Sequence, residues 1–264
     1  MIFKTIPLSA EDPEIVLDAY IASPTSNFLR KAILVIPGGG YRTVCANREG
    51  EPIALAFLPY GYNAFVLKYS VGRKRSFPAQ LIEASSAIKH IKDHSEEYGI
   101  DPKELFVTGF SAGGHLAACC GILWKHPAVY EALDMPYGYN KPKGILPIYA
   151  VINDNAHTFQ NLWATDTPTE DQLRQARLDL HVDADSVPAF MAHTAEDAVV
   201  PVQNSLDLAA AYAREKVPFE LHIYPKGPHG LALANQITSA GNLSREHAEF
   251  AKWIHMAAVW MDQM

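Results

Sequence analysis

Glu104-Leu105-Phe106-Val107-Thr108-Gly109-Phe110-Ser111-Ala112-Gly113-Gly114-His115-Leu116-Ala117-Ala118 changes its periodicity partway through. The first five residues are apolar and β-prone and read as a buried strand, whereas the last five are small and helix-prone. Between them stands a G-x-S-x-G pentapeptide, the pattern of a nucleophile elbow. A serine held on so tight a strand-to-helix turn needs neighbours without Cβ atoms, because strand and helix must approach closely. The Ala112 amide would then lie at a helix N-terminus, where partial positive charge can meet a developing oxyanion. Ser111 is therefore the candidate nucleophile.

Outward from this turn, apolar runs alternate with helical periodicity, the pattern of a largely parallel sheet covered on both faces. Lys31–Ile36 reads as a strand that ends at Pro37-Gly38-Gly39-Gly40. A helix over Glu51–Leu58 and a strand over Asn63–Leu67 follow. From Pro78 to Tyr98, Leu81, Ala84, Ile88 and Ile91 recur at three- and four-residue steps, which predicts one amphipathic helix ended by Gly99. Asp101-Pro102 turns the chain into the strand before Ser111. Further strands are expected at Gly144–Tyr149, Val187–Ala192 and Phe219–Ile223, and helices at Val202–Lys216 and Ser244–Asp262. Residues 153–183 are polar, carry no strand signal and read as a small helical insertion forming a lid.

A serine hydroxyl needs a base, and the base needs an orienting carboxylate. In His193-Thr194-Ala195-Glu196-Asp197, directly after a predicted strand, Asp197 is the candidate acid, with Glu196 as its rival and helix capping as its bland reading. His229, in Lys226-Gly227-Pro228-His229-Gly230 after the next strand, is the candidate base. His222 and His255 lie within elements, His247 is a further competitor, and His193 stands close enough to the strand end to support the acid. Acid and base thus sit at carboxyl ends of strands, the rim where parallel sheets assemble sites. Glycines after the early strand let backbone amides crowd a substrate carbonyl, so Gly39 and Gly40 join Ala112 as the candidate oxyanion hole. A phosphate loop fits poorly, since neither a Lys-Ser/Thr ending nor a G-x-G-x-x-G spacing is present. His90, His94 and Glu97 have a metal-ligand spacing, but they lie opposite the apolar stripe and read as solvated surface; no metal or other cofactor is expected.

The chain has 264 residues, 48% of them hydrophobic, which suits a single domain over 1–264. A net charge of −7, with Arg73-Lys74-Arg75 as the one short basic run, argues against nucleic acid or an anionic membrane as partner. The basic run itself reads as a solvated loop. Three cysteines, Cys45, Cys119 and Cys120, make no disulfide framework. Met1-Ile2-Phe3-Lys4-Thr5 opens no targeting pattern, and no apolar run reaches spanning length, so a cytoplasmic protein is expected. The sequence leaves the oligomeric state open, a homo-oligomer included.

These residues resemble α/β-hydrolase esterases, and among them the acetyl esterase and acetylxylan esterase-like group. The resemblance rests on Pro37-Gly38-Gly39-Gly40-Tyr41, Glu49-Gly50-Glu51-Pro52, Gly61–Leu67, Gly109–Ala117, Thr194–Asp197 with Val200-Pro201, and Pro225–Gly230. It implies an α/β-hydrolase fold and a serine carboxylesterase that removes short acyl groups, acetyl above all, from a carbohydrate or related small alcohol. In related lipases the glycine run often begins with histidine, where Pro37 stands here. An amide-cleaving relative (arylformamidase or prolyl-oligopeptidase-like) is the enzymatic rival, and a non-catalytic binding protein on the same scaffold is the second class.

Overall fold

Among the described residues, eight strands line up in one sheet: β1 (Ile2–Pro7), β2 (Val16–Ile21), β3 (Arg30–Ile36), β4 (Tyr62–Lys68), β5 (Ile100–Phe110), β6 (Gly144–Ile148), β7 (Ala189–Thr194) and β8 (Phe219–Tyr224). Their order is β1-β2-β4-β3-β5-β6-β7-β8. The computed structural model describes residues 1–24, 28–153 and 155–264. From β4 across to β8 every pairing is parallel, while β1 and β2 join antiparallel at one end. The result is a mostly parallel sheet flanked by helices, the architecture that the resemblance to α/β-hydrolases implies.

Strands buried on both faces read as continuous apolar runs, and alternate residues feed opposite layers. In β3, Leu34 and Ile36 pack with the helices Ala79–Asp93, Ala112–Ile122 and Gln203–Glu215. Ile33 and Val35 pack on the other face with the helices Glu51–Phe57 and Trp253–Gln263. The four apolar positions of the amphipathic helix, Leu81, Ala84, Ile88 and Ile91, are all fully buried.

Several expected boundaries move, each for a local reason. The helix foreseen over Pro78–Tyr98 stops at Asp93, because His94 leaves helical geometry and its Nδ1 bonds the His90 carbonyl at 2.9 Å; a separate turn, Ser95–Tyr98, follows. Asp101-Pro102 lies within β5 as a bulge, since Arg30 pairs with Ile100 but Ala32 already with Leu105. β7 begins at Ala189, after Pro188, which has no amide hydrogen to give a ladder. The helix expected from Ser244 forms only over Trp253–Gln263. Upstream, the His247 amide bonds the Ala234 carbonyl at 2.9 Å and holds the chain in short 3₁₀ turns. β1 and β2 have no counterpart in the sequence reading; β1 is exposed at nearly every position and so carries no burial pattern.

After β6 the insertion forms two short helices, Ala156–Leu162 and Glu170–Ala176, the second begun by a Thr169/Gln172 capping box. Asp154, within the expected insert, lies outside the described residues. The insert is tied down on three sides: the Phe77 amide bonds Leu162 O, the Leu178 amide bonds Ile152 O, and Asn161 Nδ2 donates to Gly40 O at 2.9 Å. Among the described residues, no helix is long and apolar enough to cross a membrane.

Candidate active site

Ser111 connects β5 to the helix Ala112–Ile122 with φ 55° and ψ −119°, a left-handed backbone that non-glycine residues adopt at a cost of about 1–3 kcal/mol. The surroundings enforce it. The Ser111 amide donates to Ile148 O at 3.1 Å, and its carbonyl accepts from His115 N and Val151 N. A Cβ on Gly109 would run into the Gly113 carbonyl, and one on Gly113 would run into the carbonyls of Ile36 and Pro37. Both glycines of the pentapeptide are therefore needed for the strand and helix to meet.

From this turn the Ser111 hydroxyl faces His229 Nε2 at 2.9 Å. His229 Nδ1 lies 2.6 Å from Asp197 Oδ2. The other carboxylate oxygen of Asp197 accepts the amides of Val199 and Val200, both at 2.9 Å. His193 Nε2 stands 3.3 Å from Asp197 Oδ2 and 3.0 Å from Val200 O, while its Nδ1 faces Ser205 Oγ. Burial by itself would raise the Asp197 carboxyl. The hydrogen bonds from His193 and His229, the charge of His229 and the Val200 amide outweigh it and hold the group well below the usual carboxylate range. Asp197 is thus ionised at neutral pH. Glu196 points elsewhere: it is exposed, and its Oε2 accepts the Gly227 amide at 3.3 Å. His222 packs on Phe190 and bonds Glu220, and His255 is exposed. His90 and His94 stack at 4.0 Å, half-buried rather than solvated, with His90 Nε2 on the Tyr98 hydroxyl.

The glycine run turns its carbonyls inward. Gly38 O accepts Cys45 N, Gly39 O accepts the amides of Arg42 and Thr43, and Gly40 O accepts Asn161 Nδ2. Positive φ at Gly39 (132°) and Gly40 (63°) makes this reversal feasible. Among the described residues, the amides of Gly39 and Gly40 have no acceptor within the protein, and both residues line the cleft of about 460 Å³ that holds Ser111 and His229. Ala112 is the first residue of its helix, so its amide belongs to the donors that a helix leaves unpaired. A serine hydroxyl, an imidazole, a buried carboxylate and backbone amides around one cleft are the groups that acyl transfer through a tetrahedral oxyanion uses.

Two groups behind this cleft escaped the sequence reading. The carboxylate of Glu49 is buried; its Oε2 accepts the Gly38 amide at 2.8 Å and its Oε1 accepts the Tyr149 hydroxyl at 2.9 Å. Tyr149 also accepts the Ala232 amide and sets its ring edge-on to His229 with centroids 5.2 Å apart. Burial and the neighbouring Glu49 charge push the Tyr149 phenol up, so it stays a donor. The nearest signal was the phrase Glu49-Gly50-Glu51-Pro52, whose burial the sequence does not reveal.

The second group is His115, one turn into the elbow helix. Its Nδ1 accepts the Tyr41 hydroxyl at 2.9 Å and its Nε2 donates to Ala176 O at 2.9 Å, joining glycine loop, elbow helix and insertion. Desolvation outweighs that backbone bond and lowers its pKa to about 4. The unfolded chain therefore takes this proton from about pH 6.5 downward, the folded protein only near pH 4. Stability should fall as pH drops through this window, by roughly 1–3 kcal/mol. Urea unfolding at pH 7.5 and pH 5 measures it. His115→Asn, whatever its own stability, should lose that increment of pH dependence, and an unchanged increment would refute the account.

With this geometry in view, the chain can be set beside known proteins. The BD-FAE family model matches residues 17–212. Endo-1,4-beta-xylanase B of Butyrivibrio fibrisolvens is 37% identical over 78% of this chain but only 33% of its own length. The chain spans between about a third and a half of the first curated relatives it matches. Among solved structures, the acetyl ester-xyloside bifunctional hydrolase from Caldicellulosiruptor lactoaceticus is 31% identical with TM-score 0.83, covering 98% of this chain and 96% of that one. The carboxylesterase Cest-2923 from Lactobacillus plantarum WCFS1 is 26% identical with TM-score 0.86, covering 100% and 98%.

Proposed function

The chain belongs to the BD-FAE family of α/β-hydrolases, and from that premise we propose that it is a serine carboxylesterase removing short acyl groups, acetyl above all, from a carbohydrate-type alcohol. The observation that carries the reading is the continuous chain from Ser111 through His229 to an ionised Asp197, opening on two amides that have no acceptor among the described residues. His229 Nε2 takes the Ser111 proton as Oγ attacks the ester carbonyl. The amides of Gly39, Gly40 and Ala112 receive the oxyanion. The imidazolium, steadied by Asp197, then gives its proton to the departing alkoxide, leaving an acyl-serine. Water, deprotonated by His229, attacks this ester in turn and releases the acid and free Ser111. The names of the solved relatives, a carboxylesterase and an acetyl ester-xyloside hydrolase, agree with such chemistry. In this reading residues 1–264 act as one catalytic domain.

Acyl preference follows from what surrounds the nucleophile. Asn155, His157 and Thr158 of the insert and Arg245 border the cleft beside Val199 and Val200, so its apolar surface is a short patch between polar groups. A long acyl chain gains about 0.8 kcal/mol per methylene only where apolar surface receives it. Across p-nitrophenyl acetate, butyrate, octanoate and palmitate, kcat/KM should be highest for acetate and fall steadily. A maximum at octanoate or beyond would reject the short-acyl reading. Acetate release from acetylated xylo-oligosaccharides tests the alcohol; activity on the synthetic acetate with no release from any acetylated sugar would remove the carbohydrate and leave the esterase.

A further inference from the structure

We propose that the polar pocket beyond the glycine loop is a subsite for an acidic sugar: a carboxylate carried on the alcohol part of the ester, held by Arg42 and Arg73. This rests on the esterase reading above and names its substrate class more closely. The pocket, of about 560 Å³, adjoins the nucleophile cleft through Gly39, Gly40, His157 and Thr158, and its remaining lining is Arg42, Arg73, Gln160 and Asn161. An acetyl group fills only a small part of such a space. The larger part of the substrate, its alcohol, is what the pocket can receive, and the amides and hydroxyl of Gln160, Asn161 and Thr158 suit a polyhydroxyl surface.

Charge narrows the class. The chain is acidic overall, at −7, yet four arginines line the two connected spaces against one carboxylate, Glu49, which is buried and already bonded to Gly38 and Tyr149. Arg48 is spent on the carbonyls of Thr238 and Gly230. Arg42 is not: among the described residues its guanidinium has neither an ion pair nor a hydrogen bond, and the same holds for Arg245 at the cleft. Arg73 pairs with Asp166 at 2.6 Å, but that carboxylate is 82% exposed, so the pair contributes little and a ligand carboxylate can take its place.

Backbone bonds hold the two arginines together. The Gly72 amide donates to Tyr41 O at 2.8 Å, which sets the turns bearing Arg42 and Arg73 side by side. Arg73 Nε donates to Asn161 Oδ1 at 3.1 Å, and Asn161 donates onward to Gly40 O. One guanidinium is thus fixed relative to the oxyanion loop while the other is free to close on an anion. Guanidinium groups meet carboxylates through paired donors, which favours this ligand over a neutral sugar.

The test measures binding of deacetylated products to the whole protein, so that it does not depend on turnover. Xylotriose and xylotriose bearing one glucuronic acid branch are compared by ligand-observed NMR. At low ionic strength the acidic sugar should bind on the order of tenfold more tightly, and 0.5 M salt should remove most of that advantage. Arg42→Gln and Arg73→Gln should each shrink the ratio, with Arg42→Lys keeping part of it. Because the ratio is taken within each protein, any general loss cancels. Equal affinity at low salt, no detectable binding of either sugar, or a ratio intact in the double Gln variant would overturn the proposal. Labelling of Ser111 by a fluorophosphonate is read separately: its absence would sink the esterase while leaving the binding ratio to stand or fall by itself.

Discussion

Ser111→Ala is expected to lower kcat/KM for p-nitrophenyl acetate by about 10³-fold or more. The serine and its base act as a unit, so removing Oγ leaves His229 with nothing to activate except water, which is not held in place to attack the bound ester. The substitution keeps the Cβ and asks nothing new of the backbone, because the left-handed turn is fixed by Gly109, Gly113 and the Ser111 amide bond to Ile148 O. The thermal midpoint should therefore stay close to that of the wild type, and fluorophosphonate labelling should vanish. More than a tenth of wild-type activity in a folded variant would show that the nucleophile lies elsewhere.

Asp197→Asn is expected to cost roughly 10³- to 10⁴-fold, with Glu196→Gln nearly silent. The geometry dictates which way the new amide must turn. One carboxylate oxygen of Asp197 accepts two backbone amides, those of Val199 and Val200, so the carboxamide oxygen of asparagine has to take that place. Its NH₂ then faces His229 Nδ1. Imidazole can meet that donor only by accepting at Nδ1 and carrying its proton on Nε2, the atom that faces Ser111. A base protonated on its working nitrogen cannot deprotonate serine. Glu196, exposed and bonded to the Gly227 amide, has no route to the imidazole. The reverse ranking of the two variants would mean that the wrong carboxylate has been chosen.

That Ser111, Asp197 and His229 stand at strand ends was legible because each follows a β-prone run, continuous and apolar before Ser111 and Asp197 but alternating before His229, and because glycine or proline marks the turns at Ser111 and His229. Asp197 could be preferred over Glu196 only as a matter of loop position; what separates them in three dimensions is burial, and a dipeptide of two acids carries no burial signal. The sheet from β3 to β7 was readable from its continuous apolar runs, and β8 from alternation. β1 and β2 were not: β1 alternates with neither core nor solvent, and its partner contains Asp18, a buried carboxylate paired with Lys68. The helix over Pro78–Tyr98 was overextended because the apolar stripe ends at Ile91 while polar residues continue without Pro or Gly until Gly99. The basic run Arg73-Lys74-Arg75 is solvent-facing, as its composition indicates, and its first member also spans to Asn161 and Asp166 of the insertion, a contact between segments far apart in the chain that composition does not signal.

Glu49 has a consequence for how substitutions combine. Its carboxylate joins the glycine loop through Gly38, the end of β6 through Tyr149, and, by way of that hydroxyl, the segment after His229 through Ala232. Three loops from distant parts of the sequence therefore share one anchor, and a change in any of them alters the footing of the other two. Free energies of substitution add only between sites that share no partner. Across these loops they will not add. A replacement neutral in one background will be costly in another, and sequence drift in this chain will have to cross the three loops in concert, whereas the outer faces of the flanking helices can change one residue at a time.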